Sequence, residues 1–511
     1  MTIHFLDFPS EILIAILLHL DLLTLTSCLA TNRRVKSIID SSTPLQYRLA
    51  TQAACVEDNP YNTDIGFPDK LAALQRRQAT LNALVPTSIY TIEMHNFPHF
   101  DSYALSSGIF SVGEFNSSVL KWFSITTREP VFQQLEVDGC IQDWVLAIPG
   151  EDLLAMVVTS KPLHRRADDH LVGPVELRLY EMSSGSLHPR AREPVIEVDI
   201  DDEDISTFEL EVCGPKIILL VTYIGTTMSL LLVYDWKEGR LLMDISGGHS
   251  AATFLSPDIL LLVQALTGTF ELWTIEENVR KGPDGALISL KLPLLAKPGR
   301  YTVTDVDSNT KGQASLLSHE PFHSSFADSV ALFQVSINCN DPRDTNLNAF
   351  MFLVLSRREL LRLIPSAEEH GTERSWRDWG PSVTRWLEKD EIVNKWQTIT
   401  SGQRCAIGEP DSGRVRVLDF NPYTYRKLAG THQSRDAIVH VVSGDENQMI
   451  HLAVRPGIFG EEVSSQLGCV VVDSPEERRY NGILLDEKWI VGIKDTLDLD
   501  DELVFDVWSL E

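Results

Sequence analysis

FLDFPSEILIAILLHLDLLTLTSCLATNRRVKSII, from Phe5 to Ile39, reads as short helices and decides how the first part of the chain folds. Pro9 suits a helix's first turn, where a missing N–H costs nothing, and Glu11 is favourable beside the positive helix end. The helix is expected to run to about His19. Ile12, Leu13, Ile16, Leu17 and Leu20 fall on one arc at helical spacing, yet Ile14, Ala15 and Leu18 cover much of the opposite arc. A domain of this size cannot bury both sides, and an exposed strip of Leu and Ile invites aggregation, so a partner protein is expected to cover one side. A second helix is expected over Leu22 to Asn32 and a third over Arg34 to Ile39, with Leu25, Cys28, Leu29, Val35 and Ile38 as apolar positions. Beyond the break at Asp40 to Pro44, helices over Leu45 to Ala54 and Asp69 to Leu84 read as a spacer.

Near Val85-Pro86-Thr87-Ser88 the helical period gives way to short strands and turns. A β-branched or aromatic run ending in a turn recurs seven times: VLKWFSITTREPVF (from Val119), VELRLYEMSSGSLH (from Val175), LLLVYDWKEGRLLM (from Leu230), FELWTIEE (from Phe270), FMFLVLSRRELLRL (from Phe350), VRVLDFNPYTYRKL (from Val415) and VFDVWSLE at the end. The recurrence, about 60 residues apart, is slightly longer than a propeller blade of ~40 to 50. A six- to eight-bladed β-propeller with long loops accounts for it, with a sandwich or an irregular all-β domain as the alternative. The expected fold class is therefore a small all-α N-terminal unit and helical spacer followed by a large all-β domain. Acidic runs at Asp199 to Asp204 and Asp495 to Glu502 are expected to be solvated loops.

The 511 residues, 43% hydrophobic and 23% charged, suit a globular protein with a large core. The formal charge of -28 repels phosphate backbones and anionic lipid headgroups, so neither nucleic acid nor a membrane is an expected partner. Seven scattered cysteines without a Cys-x-x-Cys pair fit a reducing compartment. Asp7, Glu11, His19 and Asp21 argue against reading the N-terminus as a secretion signal, and the apolar stretch Ile217 to Trp236 is broken by Thr222, Gly225, Thr226 and Thr227 into strand, turn and strand. The expected location is cytoplasmic or nuclear. The Asn116–Ser118 sequon means little in a chain that stays out of the secretory pathway.

Phe5 to Ile39 resembles the F-box. Pro9, Glu11, Ile12 and Leu13 match its opening, Ile16, Leu17 and Leu20 its first helix, and Leu25, Cys28 and Arg33 its second part, without a gap. Phe8 stands where leucine is usual, and Val35 near a position where an aromatic is common. PLQYRLATQAACVEDNP (Pro44 to Pro60), LAALQRRQATLNAL (Leu71 to Leu84) and LLLVYDWKEG (Leu230 to Gly239) are similar to fungal F-box proteins of the mushroom-forming lineage that carry a propeller-like domain. The resemblance implies docking onto a Skp-type adaptor, and through it a cullin and RING subunit, with the C-terminal domain choosing a protein substrate. The implied docking residues are Phe8, Pro9, Ile12, Leu13, Ile16, Leu17, Leu20, Leu25, Cys28 and Val35. The units are expected at residues 1–42 (F-box), 43–87 (spacer) and 88–511 (β domain). A scaffold that binds the adaptor without substrate turnover is the alternative.

Catalytic spellings fail on physical grounds. His319-Glu320-Pro321-Phe322-His323 spells HExxH, but zinc chemistry needs both histidines one turn apart on a continuous helix, and Pro321 lies between them. A histidine-containing loop before a strand from Val330 to Ile337 is the better account. Asp305, Asp307 and Asn309 open like a calcium loop, but Thr310 and Leu316 occupy its glycine and glutamate positions. Gly248-His249-Ser250 lacks the last glycine of a nucleophile elbow. No enzyme activity, cofactor or metal is expected. Trp376, Trp379, Trp386 and Trp396 are expected to pack in a core rather than bind a ligand.

Overall fold

The computed structural model describes residues 5–59, 62, 64–94, 100–163, 173–200, 204–275, 279–280, 285–296, 301–308, 321–339, 349–364, 371–388, 400–408, 413–429, 439–442, 458–461, 463–495 and 503–510. Five helices come first: α1 (Ser10–Leu17), α2 (Leu22–Thr31), α3 (Arg33–Ser41), α4 (Thr43–Ala54) and α5 (Phe67–Ala83). Each start has a local cause. Pro9 holds the extended backbone before α1; the Asp21 carboxylate accepts from Thr24 N at 2.8 Å at the head of α2; Asn32 accepts from Arg34 N at 2.7 Å before α3. Cys55 and Leu84, in the left-handed region at φ 53° and φ 47°, stop α4 and α5.

Seven antiparallel sheets follow, numbered here as blades in chain order. The paired strands span 102–136 in blade 1, 140–198 in blade 2, 205–247 in blade 3, 251–291 in blade 4, 301–388 in blade 5, 400–477 in blade 6 and 482–509 in blade 7. Blade 7 takes its fourth strand from the other end of the domain: Ser88–Met94 pairs with Leu503–Ser509, in register from Ser88↔Ser509 to Met94↔Leu503. The first strand after the spacer thus closes the ring, and a seven-bladed β-propeller results. The seven sequence phrases fall one to a blade, and in every blade they form the third strand. A third strand is paired on both edges and covered on both faces, so it reads as a dense apolar run, whereas outer strands such as Gln133–Glu136 stay largely exposed and polar. Two phrases end differently from the expected strand, turn and strand. After Ala349–Ser356 the chain enters a short helix, Arg357–Leu361, and after Arg414–Asp419 another, Pro422–Ala429. Ser356 and Asn421 cap these helices, accepting from Glu359 N and Tyr423 N.

The outer edges of blades 3 and 4 are covered by neighbours. The segment after a blade's third strand reaches back over the preceding blade: Val279–Arg280 pairs in parallel with Arg240–Gly247, and Thr372–Arg374 with Ile288–Lys291. Such covering removes open edges that would template aggregation. Trp376, Trp379 and Trp386 sit in the core between blades 4 and 5, Trp379 edge-on to Phe270 at 6.0 Å, while Trp396 lies outside the described residues. Polar bonds cross between blades as well. Asp143 Oδ2 in blade 2 accepts from Leu210 N in blade 3 at 2.7 Å; Glu211 Oε1 accepts from Thr253 Oγ1 in blade 4 at 3.1 Å; the fully buried Arg357 donates through Nε to Phe254 O at 3.1 Å. Burial pushes the Asp143 and Glu211 carboxyls up to about 7 and pulls Arg357 down to about 10.

Candidate functional site

The F-box helices have a small core of their own. Leu13, Leu17, Leu25, Val35, Ile38, Ile39 and Leu45 are buried together, and Leu20 and Cys28 pack half-buried against them. Four of the ten implied docking residues, Leu13, Leu17, Leu25 and Val35, therefore shape the domain from inside. The outward strip is Phe8, Pro9, Ile12 and Ile16; Phe8, Ile12 and Ile16 are exposed over 38 to 47% of their surface at four-residue spacing, one helical turn apart. Leu23, 71% exposed at the start of α2, was not among the ten. Its signal was present in the sequence: Leu22 and Leu23 stand side by side, and adjacent residues on a helix cannot face one core together.

The spacer joins the two units: Leu45 and Leu49 pack with the F-box core, and the rest of its buried side chains pack on the propeller. Val56–Asp58, just after α4, pairs antiparallel with Phe322–Ser324 in the connection between the first and second strands of blade 5. Tyr47, Ala54, Val56, Leu74 and Phe322 form one apolar cluster, and Leu81 of α5 and Leu84 just after it enter the core of blades 6 and 7. Polar bonds fix the same joint: Asn421 Nδ2 to Ala53 O at 2.8 Å, Ser325 N to Cys55 O at 3.0 Å, Arg77 Nη2 to Glu487 O at 3.3 Å and Lys70 Nζ to Asp58 Oδ1 at 2.9 Å. Tyr47 also donates to Asp58 Oδ1 at 2.9 Å, so one carboxylate gathers two elements of the spacer. All these propeller partners lie at the end of the ring formed by turns between first and second, and third and fourth, strands. The F-box consequently stands on that face beneath blades 5 to 7, leaving the opposite face clear of it.

The described part of the string at His319 to His323, namely Pro321 to His323, has a structural role. His319 and Glu320 lie outside the described residues, but Phe322 and His323 belong to the strand that joins spacer to ring, with Glu57 opposite His323 in register. His323 lies in this extended strand and not on the continuous helix that such zinc chemistry requires. Among the described residues no group of three His, Cys, Asp or Glu is placed to hold a metal ion. Burial pushes the Cys55 and Cys405 thiols up to about 12, so both pack as neutral side chains. Asp305 and Asp307 lie in the strand Tyr301–Ser308. His249, from the Gly-His pair, meets Glu271 at 3.4 Å, and Glu271 accepts from Trp273 Nε1 at 3.1 Å. Blade 7 repeats the device, with Asp506 accepting from Tyr480 at 3.0 Å and Trp508 Nε1 donating to the same phenol oxygen at 3.0 Å. In both blades an acid two residues before a tryptophan on the third strand pins the loop that enters the blade. Asn116 of the sequon is engaged too: its Oδ1 accepts from Leu163 N at 2.7 Å, tying blade 1 to blade 2.

A helical docking unit fused to a seven-bladed propeller is an adaptor architecture. Residues 5–47 match the F-box domain family, and the chain is accordingly an F-box domain followed by a C-terminal seven-bladed β-propeller. No curated protein matches the chain. Among solved structures it is similar to the WD40 domain of Toxoplasma gondii coronin, at 9% identity over 77% of this chain and 89% of that one with a TM-score of 0.36. It is also similar to the β-propeller domain of Myceliophteria thermophila Cps50 (Swd1), at 10% identity over 83% and 98% with a TM-score of 0.30. The blade count rests on the seven sheets rather than on these likenesses. An F-box domain implies an adaptor role in a Skp–cullin-type ligase and a propeller a protein-binding surface. Among the described residues no helix is long and apolar enough to cross a membrane.

Proposed function

We propose that this chain is the substrate-recognition adaptor of a cullin–RING ubiquitin ligase. Its F-box docks a Skp-type adaptor through Phe8, Pro9, Ile12 and Ile16, with Leu20, Cys28 and Leu23 at the margin, and the propeller holds a protein target. Leu13, Leu17, Leu25 and Val35 act by holding that strip in shape. The observation that carries this reading is the exposed apolar strip on α1 of a domain matching the F-box family, whose own core is already closed by other residues. A side chain moved fully out of water contributes ~1.5 to 3 kcal/mol gross, and these anchors are already half covered, so the strip forms the centre of an interface whose further contacts, Leu20, Leu23 and Cys28 among them, must add to it before ordering costs are exceeded. The architecture is typical of a non-catalytic adaptor: in this reading the ligase partners supply the chemistry and the chain supplies proximity.

The test pairs capture with turnover. Intact chain and an Ile12→Asp, Ile16→Asp variant are compared for recovery of Skp-type and cullin subunits. Loss of both subunits with unchanged folding is expected; equal recovery by a folded variant sinks the docking assignment. Proteins that co-purify with both forms are then followed after deletion of the chain. Their stabilisation is the outcome expected of an adaptor, whereas unchanged turnover assigns the chain to a scaffold that assembles a complex without degradation.

A further inference from the structure

The face opposite the F-box is built from turns between second and third strands and from blade-to-blade connections. Among the described residues four large apolar side chains lie exposed at this end, all in consecutive blades. Met228 is at the blade 3 turn, Leu266 at the blade 4 turn, Leu294 in the connection from blade 4 to 5, and Phe350 at the start of the third strand of blade 5. Each is exposed over 39 to 64% of its surface. Hydrogen bonds hold the chain beside the first three of them. Ser229 Oγ accepts from His249 N at 2.9 Å, Glu271 bridges His249 at 3.4 Å and Gln264 Nε2 at 2.9 Å, and Leu292 N donates to Gly268 O at 2.8 Å. Leu294 is held from both sides, its N–H by Glu461 Oε1 at 2.7 Å and its carbonyl by Gly460 N at 2.8 Å. An ordered row of apolar tips on fixed backbone is the arrangement of a binding surface rather than of loose loops.

Charge decides what can cover it. In the same turns and connections of blades 1 to 3, the charged residues with described, exposed side chains are Asp101, Glu114, Asp138, Asp199 and Asp204, against one cation, Lys161. An anionic lipid or a nucleic acid is repelled there, and a second copy of this chain presents the same acidic rim to itself. We propose that this face, across blades 3 to 5, takes a protein segment with apolar anchors and Lys or Arg at the end that reaches blades 1 to 3. This rests on the adaptor reading and names the class of target: a basic, apolar-anchored segment, held on the side of the ring away from the ligase.

A phage-displayed random library of peptides of about sixteen residues, long enough to span roughly 50 Å when extended, supplies the probe. It is panned on the intact chain, and winners are remeasured as free peptides. They are measured against wild type, a Met228→Ser, Leu266→Ser, Leu294→Ser variant, and a Val131→Ser, Leu241→Ser control whose exposed side chains lie off this face. The expected winners carry net positive charge and at least two large apolar residues, bind the triple variant roughly tenfold or more weakly and bind the control as wild type. Absence of winners, acidic or neutral winners, or winners that hold the triple variant unchanged each overturns the proposal. The triple variant is expected to recover the Skp-type subunit normally. Loss of that recovery in wild type itself removes the adaptor reading while leaving the peptide result to judge the surface.

Discussion

Helices α1 and α5 meet opposite fates in one chain. α5 buries Leu74 and Leu81 and takes Lys70 and Arg77 under cover with them, each cation given a carboxylate or carbonyl partner at the spacer–propeller joint. α1 buries Leu13 and Leu17 and leaves Ile12 and Ile16 exposed, and its own sequence, SEILIAIL, carries no cation. The propeller shares its core with one helix, whereas the other packs into the F-box's own core. Apolar surface left uncovered on a folded domain is what a partner protein covers, and on the proposed adaptor reading its position on α1 marks the docking side.

Neighbouring residues of α1 break the comparison most sharply. Leu13→Asp places a carboxylate inside the F-box core and should cost about 4 kcal/mol or more, enough to open that domain. Ile12→Asp, one residue away, should leave stability unchanged, because its carboxylate points to water. Both should abolish capture of the Skp-type subunit. Hydrogen exchange of the α1 to α3 amides separates them, since fast exchange is expected only for Leu13→Asp; fast exchange in Ile12→Asp would mean the strip belongs to the domain's own core. On the other helix, Leu81→Ala should cost about 2 to 5 kcal/mol in propeller stability, from lost burial and the cavity left behind. Subunit capture at saturating concentration should survive it, because no residue of the F-box core touches Leu81.

What could be read from sequence follows the same division. The five helices were legible to within two or three residues at most ends, because Pro9, Asp21, Asn32 and the interruption at Asp40 to Pro44 act locally. Each blade announced itself by its third strand alone, whose neighbours on both sides enforce an apolar run, so blade spacing was visible while blade number was not. The strand Ser88–Met94 could not be assigned to blade 7, since its partner lies some four hundred residues away and nothing in seven residues encodes that pairing. The helices after Ser356 and Asp419 were missed because the apolar texture of the preceding strand continues through Leu360, Leu361 and Leu428. For the docking strip, periodicity identified which helix faces were apolar but not which would be inside. Leu13 and Ile12 are equally hydrophobic, and only packing against Val35, Ile39 and Leu45 tells them apart.

pH distinguishes the two halves more gently. Burial raises Asp143 to about 7, so the folded ring holds that proton more tightly than the unfolded chain, whose carboxyl titrates near 4. The sign follows: the contribution is fully present below pH 4, declines as pH rises to about 7, and is flat beyond. Glu211 acts in the same direction. Asp143→Asn keeps an oxygen for Leu210 N and should flatten the decline, gaining about 1 to 3 kcal/mol at pH 8 and nearly nothing at pH 4 in denaturant titrations. The α1 strip carries no buried titrating group, so affinity for the Skp-type subunit should not follow this profile.

The smallest effect concerns Phe8, where leucine is usual. Its ring is partly exposed ahead of α1, and it takes no part in the buried F-box core. Truncation to Ala should therefore weaken subunit capture by about 1 kcal/mol, roughly fivefold, with domain stability unmoved. Phe8→Leu should stay within about twofold of wild type, because both side chains offer a comparable apolar cap and neither carries a polar atom that needs a partner. A Phe8→Ala variant that loses stability but not affinity would place Phe8 with Leu13, inside the domain, and shorten the docking strip to Pro9, Ile12 and Ile16.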